Sequence, residues 1–192
     1  MEQQPVLFVS HCILNTAAKV QRAIPTSQTA EERERLFFLR SALERGVQLI
    51  QLPCPEFTLY GASRWGHTRE QFDNPFFRDH CRHILAPILQ QMRAYLQERE
   101  KFRVLGVVGI EGSPSCGVSR TCSGPWGGEF SGRGDLPQVL AQVESRPGPG
   151  ILMEVLREMM DESGIHVPVV GLDGRDPRAL RALLDMEEEA AL

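Results

Sequence analysis

Four short, nearly continuous apolar runs divide the chain, at residues 6–10, 47–52, 104–110 and 167–172. Runs rich in Val, Ile and Leu that do not alternate with polar residues are typical of strands buried on both faces of a parallel sheet. Segments with helical periodicity lie between them. This alternation predicts βαβ units, in which helices pack on the faces of the sheet.

The first helical segment has a clear start. Thr29 followed by Glu32 has the spacing of a capping box, in which each side chain satisfies a backbone N–H at the helix terminus. Leu36, Leu39 and Leu43 follow at helical spacing. We therefore predict a helix that begins after Thr29 and packs through these three leucines.

Later helices are marked in the same way. Asn74, with proline at the next position, predicts a second start, and Pro87 is expected to kink or divide that helix. A third helix is predicted at residues 150–163, and a fourth begins near Asp176 and runs into a solvated acidic tail at residues 185–192. The apolar face of the second helix comprises Phe77, Cys81, Ile84, Leu85, Ile88 and Met92.

Length and composition fit one globular domain. The 192 residues are 42% hydrophobic and 24% charged, as in ordinary globular proteins. We predict a single α/β domain over residues 1–192, with three layers: a mostly parallel sheet of about four or five strands and helices on both faces. Residues 112–150 are rich in Gly, Pro and Ser and predict a long functional loop, interrupted by a short helix at 136–143.

Charge and hydropathy narrow the classes of partner. A net charge of −4 gives no sign of nucleic-acid binding. No stretch approaches 18 continuous apolar residues, so no membrane span is expected. The N-terminus lacks the features of a signal peptide, which predicts a cytoplasmic protein. We expect a small-molecule partner and a monomer or a homodimer.

Three of the five cysteines follow predicted strands. Cys12, Cys54 and Cys116 come after the first, second and third strand, and the carboxyl ends of parallel strands share one edge of a sheet. Three converging thiolates suit a soft metal or an iron–sulfur cluster with one position open. Cys81 lies on an apolar helix face and predicts a core residue. Cys122 stays open as a fourth ligand.

Two motifs add a family resemblance. The sequences "PCPE" at residues 53–56 and "SPSCG" at 113–117, together with the early Cys12, resemble the thiouracil desulfurase family. The segment "GPGILMEVLREMMDESGIHVP" at 148–168 resembles its closing turn, helix and strand. The resemblance implies a 4Fe–4S cluster held by Cys12, Cys54 and Cys116 with one open iron. It also implies a non-redox reaction in which that iron binds the sulfur of a thiocarbonyl compound, water attacks the carbon, and sulfide leaves.

The resemblance also implies roles for particular side chains. Glu56 and Ser113 are the catalytic candidates, and Ser10, Arg64 and Ser115 are the candidates for substrate binding. The chemistry agrees for Glu56, because a carboxylate two residues from a metal ligand is well placed to take a proton from water.

The chain departs from the family pattern after the first cysteine, in "SHCILNTAAKV", and after PCPE, in "TLYGASRWGHT". These departures predict a divergent branch that acts on a thiouracil-like or other thio-compound. Tyr60, Trp65 and His67 lie in the second segment, where their rings either form a pocket for a flat heterocycle or pack against each other.

Two other functions stay open. One is a cysteine-nucleophile hydrolase, with Cys116 as nucleophile and His11 as base; it leaves Cys12 and Cys54 without a role. The other is a non-catalytic iron–sulfur or zinc-binding sensor module, in which Glu56 is dispensable.

Overall fold

A computed structural model describes residues 3–21 and 29–184, and the predicted acidic tail lies outside this part of the chain. The strands are β1 (Gln4–Val9), β2 (Gln48–Gln51), β3 (Phe102–Ile110), β4 (Arg120–Ser123), β5 (Glu144–Pro147) and β6 (Val169–Leu172). The helices are α1 (His11–Leu14), α2 (Ala30–Glu44), α3 (Pro55–Tyr60), α4 (Arg69–Phe72), α5 (Pro75–Gln97), α6 (Leu136–Ala141), α7 (Ile151–Glu162) and α8 (Arg178–Leu183). A 3₁₀ turn covers Thr16–Ala18.

The central sheet has four parallel strands in the order β2-β1-β3-β6. The chain passes from β1 to β2 on one side, and then returns to place β3 on the other side of β1. Ligands of open α/β sheets bind beyond the carboxyl ends of the strands at such a reversal point. The predicted α/β fold with a mostly parallel sheet is confirmed, and its β1–β3 boundary is where a site is expected.

Two hydrophobic cores lie on opposite faces of the sheet. Phe8 belongs to the core that includes side chains of α5 and α7, such as Leu85. Leu7, its neighbour in β1, belongs to the core that includes Phe38 of α2 and Leu180 of α8. Successive residues of a strand point to opposite faces, so a run that is apolar at every position supports helices on both sides. Within the described residues, no helix is long and apolar enough to cross a membrane.

The start of α2 follows the prediction, but its apolar face does not. The Thr29 hydroxyl accepts a hydrogen bond from the backbone N–H of Glu32 at 3.1 Å, as an N-cap does. Leu36 and Leu43 are 39% and 68% exposed, so their predicted core position is wrong. The face turned to the sheet carries Phe38, which is 1% exposed. The larger side chain of Phe38 therefore marks the buried face of α2, and Leu36 and Leu43 lie beside that face.

The helix α5 is a single helix of 23 residues with Pro87 inside it. Of the two predicted effects of Pro87, a kink or a division, the division does not occur. Pro87 is exposed, so the carbonyl group that loses its N–H partner can be hydrated. The buried face contains the predicted Phe77, Cys81 and Leu85, which extends the core along the whole helix.

The Gly-rich segment at residues 112–150 is more ordered than the predicted loop. It holds an antiparallel ribbon in which β4 pairs with β5 and Cys122 lies opposite Ser145, and α6 lies where a short helix was predicted. The two strands have four residues each, and all four residues of β5 are exposed. They lack the apolar pattern by which a strand is recognised in sequence.

The N-terminus of α7 docks on the loop that follows β3. The backbone N–H groups of Gly150, Ile151 and Met153 donate to the carbonyl oxygens of Gly117, Pro114 and Ser115 at 2.9, 3.0 and 3.2 Å, respectively. The first N–H groups of a helix have no partner within the helix, so the loop satisfies them and is held in place by them.

Gly150 is the tightest point of this docking. A Cβ atom there would lie 2.5 Å from the Ser115 carbonyl carbon and 2.8 Å from the Ser113 carbonyl oxygen. Both atoms belong to the backbone and cannot rotate away. Gly150→Ala is expected to lower the free energy of unfolding by about 1–3 kcal/mol, the usual cost of overpacking.

Urea unfolding measures this change as a shift of the midpoint at constant slope. Gly134→Ala is the matched control, because nothing lies within 4 Å of a Cβ atom at that position. A Gly150→Ala protein that unfolds at the wild-type midpoint would contradict the docking.

Candidate functional site

Three cysteines from three strand ends lie together. Cys12 is in α1 directly after β1, Cys54 is the N-cap residue of α3 after β2, and Cys116 lies in the loop after β3. The thiols of Cys12 and Cys54 share a hydrogen bond, and Cys116 interacts electrostatically with both. The structure therefore brings together the cysteines that the sequence places at one edge of the sheet.

Local backbone contacts hold two of these cysteines. The sulfur of Cys54 accepts a hydrogen bond from the backbone N–H of Phe57 at 3.3 Å, which completes the first turn of α3. The backbone N–H of Cys116 donates to the Ser113 hydroxyl at 3.0 Å, and its carbonyl oxygen accepts from the N–H of Ile110 at 2.9 Å. The PCPE and SPSCG motifs thus form capped turns, each of which places a thiol inward.

Burial and hydrogen bonding set the protonation of the thiols. The hydrogen bond from Cys12 lowers the pKa of Cys54 to about 7, while the same bond and burial raise the pKa of Cys12. Burial raises the pKa of Cys116 to about 12. The pair of Cys12 and Cys54 gives up a first proton readily, whereas full deprotonation of all three thiols requires a cation that replaces their protons.

The described residues contain no group of three or more His, Cys, Asp and Glu side chains arranged to hold a metal ion. The three thiols are neighbours and do not form a ready-made site for one ion. Cys81 is fully buried in the core that lines α5. Cys122 lies on β4, where burial and the Glu70 carboxylate raise its pKa.

Glu56 is buried beside the thiols and has two polar partners. The Ser115 hydroxyl donates to its Oε1 at 2.5 Å, and Nε of Arg64 lies 3.3 Å from its Oε2. The side chains of Arg64 and Glu56 are 3% and 10% exposed. A carboxylate loses hydration when it is buried, and these two partners replace part of it.

The two serines of the SPSCG motif have different positions. Ser113 lines the pocket described below, and its hydroxyl accepts from the backbone of Cys116. Ser115, a predicted substrate-binding residue, is 1% exposed and donates to Glu56, and its hydroxyl also lies 3.6 Å from the sulfur of Cys116. The hydroxyl groups of the two serines are 3.3 Å apart, so a chain of polar contacts links the pocket to Glu56 through Ser113 and Ser115.

The other two predicted substrate-binding residues, Ser10 and Arg64, differ in their contacts with the protein. Ser10 is 1% exposed and lies beside the Cys116 thiol, yet its hydroxyl completes no hydrogen bond with the described residues. Arg64 donates to the carbonyl oxygens of Ala18 and Gly61 at 2.7 and 3.1 Å. Arg64 thereby ties the segment after Cys12 to the segment after Cys54.

A pocket of about 240 Å³ opens above these groups. Its charged side chains are paired inside the protein: Lys19 bonds Glu31, and Arg64 lies against Glu56. Glu111 accepts hydrogen bonds from backbone groups at the start of β4. The lining comprises Cys12, Lys19, Val20, Glu31, Glu56, Arg64, Gly66, His67, Ile110, Glu111, Gly112, Ser113, Pro114 and Cys122.

Three charged lining residues, Lys19, Glu31 and Glu111, were not among the candidates from the sequence. Glu111 directly follows the third strand, a position that is itself a signal of a ligand-facing side chain. Lys19 and Glu31 form an ion pair 12 residues apart in sequence, and no spacing rule would have joined them.

The aromatic side chains of the segment at residues 58–68 lie in two different environments. His67 lines the pocket and packs on Tyr60, with ring centroids 5.0 Å apart. Trp65 is 70% exposed and packs on Phe130 of the Gly-rich segment at 5.9 Å. The hydrogen bond from the indole N–H of Trp126 to the carbonyl oxygen of Gly66, 2.9 Å long, joins the same two segments.

Comparison with known proteins identifies the family of the chain. The sequence model of the family described as "Putative 2-thiouracil desulfurase" matches residues 4–131. The chain belongs to this family. A relative from Methanocaldococcus jannaschii, itself an uncharacterized protein, is 30% identical over 118 residues, which is 62% of this chain and 70% of the relative. No solved structure matches the chain. The stretch matched by the desulfurase family includes the three converged cysteines, Glu56 and both motif serines.

Arg64 provides a test of the site as a structural unit. Arg64→Ala removes the partner of buried Glu56 and leaves the carbonyl oxygens of Ala18 and Gly61 without their donor. We expect the free energy of unfolding to fall by about 3 kcal/mol, because breaking a buried pair strands the other charge. Urea unfolding measures the loss.

The control is Arg178→Ala, which breaks the 2.7 Å pair with Asp176 at a side chain that is 79% exposed. Exposed pairs contribute less than about 1 kcal/mol. Equal losses in the two variants would show that Arg64 has no special structural role.

Proposed function

We propose that the protein is an iron–sulfur-dependent desulfurase that converts the thiocarbonyl group of a small heterocycle to a carbonyl group and releases sulfide. Water supplies the oxygen and two protons, so the reaction is C=S + H₂O → C=O + H₂S and needs no electron donor. The observation that carries the proposal is Glu56, a buried carboxylate next to three converged thiols, which lines a small pocket together with Cys12. Membership of the desulfurase family supports it.

The donor set fits a 4Fe–4S cluster with three protein ligands. Cys12, Cys54 and Cys116 supply soft sulfur atoms from three separate backbone segments. In a cluster each thiolate binds a different iron atom. When bound, the cluster would supply a Lewis-acidic iron that draws charge from the thiocarbonyl sulfur.

The residues of the chain supply the base and hold it in place. Oε1 of Glu56 receives the short hydrogen bond from Ser115, and Oε2 has only the longer contact with Arg64. Oε2 therefore has room to accept a proton from water. Arg64 stabilises the charged carboxylate, and Ser115 fixes its orientation. Ser113, which lines the pocket, is placed to contact the substrate or the water.

The pocket suits a small neutral substrate. Its volume of about 240 Å³ is below the range of about 300–1,000 Å³ that drug-sized ligands occupy. Within the described lining, the cations Lys19 and Arg64 already have carboxylate partners. A thiolated base fits these conditions better than a nucleotide, whose phosphate would need a cation of its own.

The structure weighs against Cys116 as a nucleophile. Its thiol is buried, and burial raises its pKa to about 12, whereas nucleophilic cysteines have a lowered pKa. His11, the proposed base, stacks on Phe57 with ring centroids 6.1 Å apart, and its Nε2 lies 3.3 Å from Asn15. In a non-catalytic sensor module, the buried Glu56 and its contacts would have no function.

Iron content tests the cluster. The protein purified without oxygen is expected to contain about four iron and four sulfide ions per chain, as a 4Fe–4S cluster requires. Cys12→Ala, Cys54→Ala and Cys116→Ala are each expected to lose most of the iron. Cys122→Ser is the control and should keep it, since Cys122 lines the same pocket but the neighbour that shifts its pKa is Glu70 and not one of the three thiols. Full iron content in Cys116→Ala would refute the ligand set.

Sulfide release tests the role of Glu56. Glu56→Gln keeps the size of the side chain and removes its capacity as a base, so we expect an unchanged iron content and a rate of sulfide release at least about 100-fold lower. Ser115→Ala is expected to give a smaller loss, because the carboxylate remains but is less well oriented.

Glu158→Gln, on the charged surface where α5 meets α7, is the matched control and should release sulfide at the wild-type rate. If Glu56→Gln keeps its turnover, the carboxylate has no part in the reaction. If the wild type binds iron but releases no sulfide, the sensor module becomes the better hypothesis.

A further inference from the structure

His67 is a pocket residue to which the proposed reaction gives no role. It lines the pocket that contains Glu56, and the Glu56 carboxylate is close enough to influence its charge. It lies in neither the PCPE nor the SPSCG motif. The proposed mechanism accounts for the thiols, the base and the motif serines, and leaves open what recognises the ring of the substrate.

Two other rings fix the position of the imidazole. The ring centroid of His67 lies 5.0 Å from that of Tyr60 and 4.8 Å from that of Phe72. Phe72 is fully buried and stacks on Phe77 at 4.2 Å, which anchors the group to α5. A polar ring that is held by packing presents its nitrogen atoms in a fixed direction, as a recognition site requires.

The surroundings of the imidazole indicate which of its nitrogen atoms can bind a ligand. Burial lowers the pKa of His67, and the Glu56 carboxylate opposes this effect only in part, so the ring is neutral at neutral pH. A neutral imidazole has one N–H and one acceptor nitrogen. Nδ1 is buried and completes no hydrogen bond among the described residues, so a ligand in the pocket reaches the ring through Nε2. We place the proton of the neutral ring on Nδ1. Nε2 is then the acceptor that is left for a ligand.

We propose that Nε2 of His67 accepts a hydrogen bond from a ring N–H that flanks the thiocarbonyl carbon of the substrate. The inference rests on the proposed desulfurase function and narrows its substrate class to cyclic thioamides and thioureides that keep this N–H. A site that is built to bond an N–H discriminates against an analogue that lacks it, because the buried acceptor is then left unpaired.

The test compares three substrates and four proteins. The substrates are 2-thiouracil and its N1-methyl and N3-methyl derivatives, because 2-thiouracil has an N–H on each side of the thiocarbonyl carbon. The proteins are the anaerobically prepared wild type, His67→Phe, His67→Gln and His67→Asn, matched for iron content. Phenylalanine keeps the ring packing, the glutamine amide reaches the position of Nε2, and the asparagine amide reaches only that of Nδ1.

We expect His67→Phe to lower kcat/KM for 2-thiouracil roughly tenfold, mainly through KM, as the loss of one hydrogen bond implies. One methyl derivative should suffer the same loss in the wild type and no further loss in His67→Phe. His67→Gln should restore part of the affinity, and His67→Asn should not. A purely structural role of His67 would predict equal losses with all three substrates.

A binding measurement separates this inference from the proposed function. Calorimetric titration with uracil, the oxo product, should give a dissociation constant roughly tenfold higher for His67→Phe than for the wild type, with partial recovery in His67→Gln. If the wild type releases no sulfide but shows this pattern of binding, the desulfurase function fails and the recognition role stands. Equal dissociation constants, equal kcat/KM values in all four proteins, or no binding by the wild type would overturn the role of His67.

Discussion

The parallel alignment of β1, β2 and β3 is the constraint on which the site depends. Each strand ends at the same edge of the sheet, and the next few residues must turn away from that edge. Cys12, Cys54 and Cys116 lie in these three turns. Had any of the three strands run in the opposite direction, its cysteine would lie at the far edge of the sheet. The convergence of the thiols is therefore a consequence of topology rather than of contacts among the cysteines.

The turns themselves are fixed by backbone contacts from other layers. α7 donates its first N–H groups to the SPSCG loop, and Arg64 spans the turns after β1 and β2. Both sets of contacts give hydrogen-bond partners to polar groups that would otherwise have none, namely the first N–H groups of the helix and a buried guanidinium. The same contacts that satisfy these groups hold the thiols and Glu56 at defined positions, so the local stability of the fold and the geometry of the site have a common origin.

Hydrophobic periodicity in the sequence predicts the four parallel strands and the buried face of α5. The order of the strands predicts that the three cysteines lie together. The β4–β5 ribbon was missed because its short polar strands bear no apolar pattern. The exposure of Leu36 and Leu43 was missed because the register of α2 on the sheet is decided by Phe38. The bond between Ser115 and Glu56 joins residues 59 positions apart, which no local rule predicts.

The burial of Glu56 and of the thiols has a further physical consequence. The carboxylate has partners inside the protein, and burial keeps the thiols of Cys12 and Cys116 protonated when no cation is present. The two hydrophobic cores on the faces of the sheet do not include Glu56, and a domain of this size buries enough apolar surface to fold without a metal. Small metal-binding domains differ, because there the binding energy of the metal is the folding energy. In this protein the fold by itself brings the three thiols and Glu56 together, so the proposed cluster would meet ligands that are already in place and would not have to drive folding.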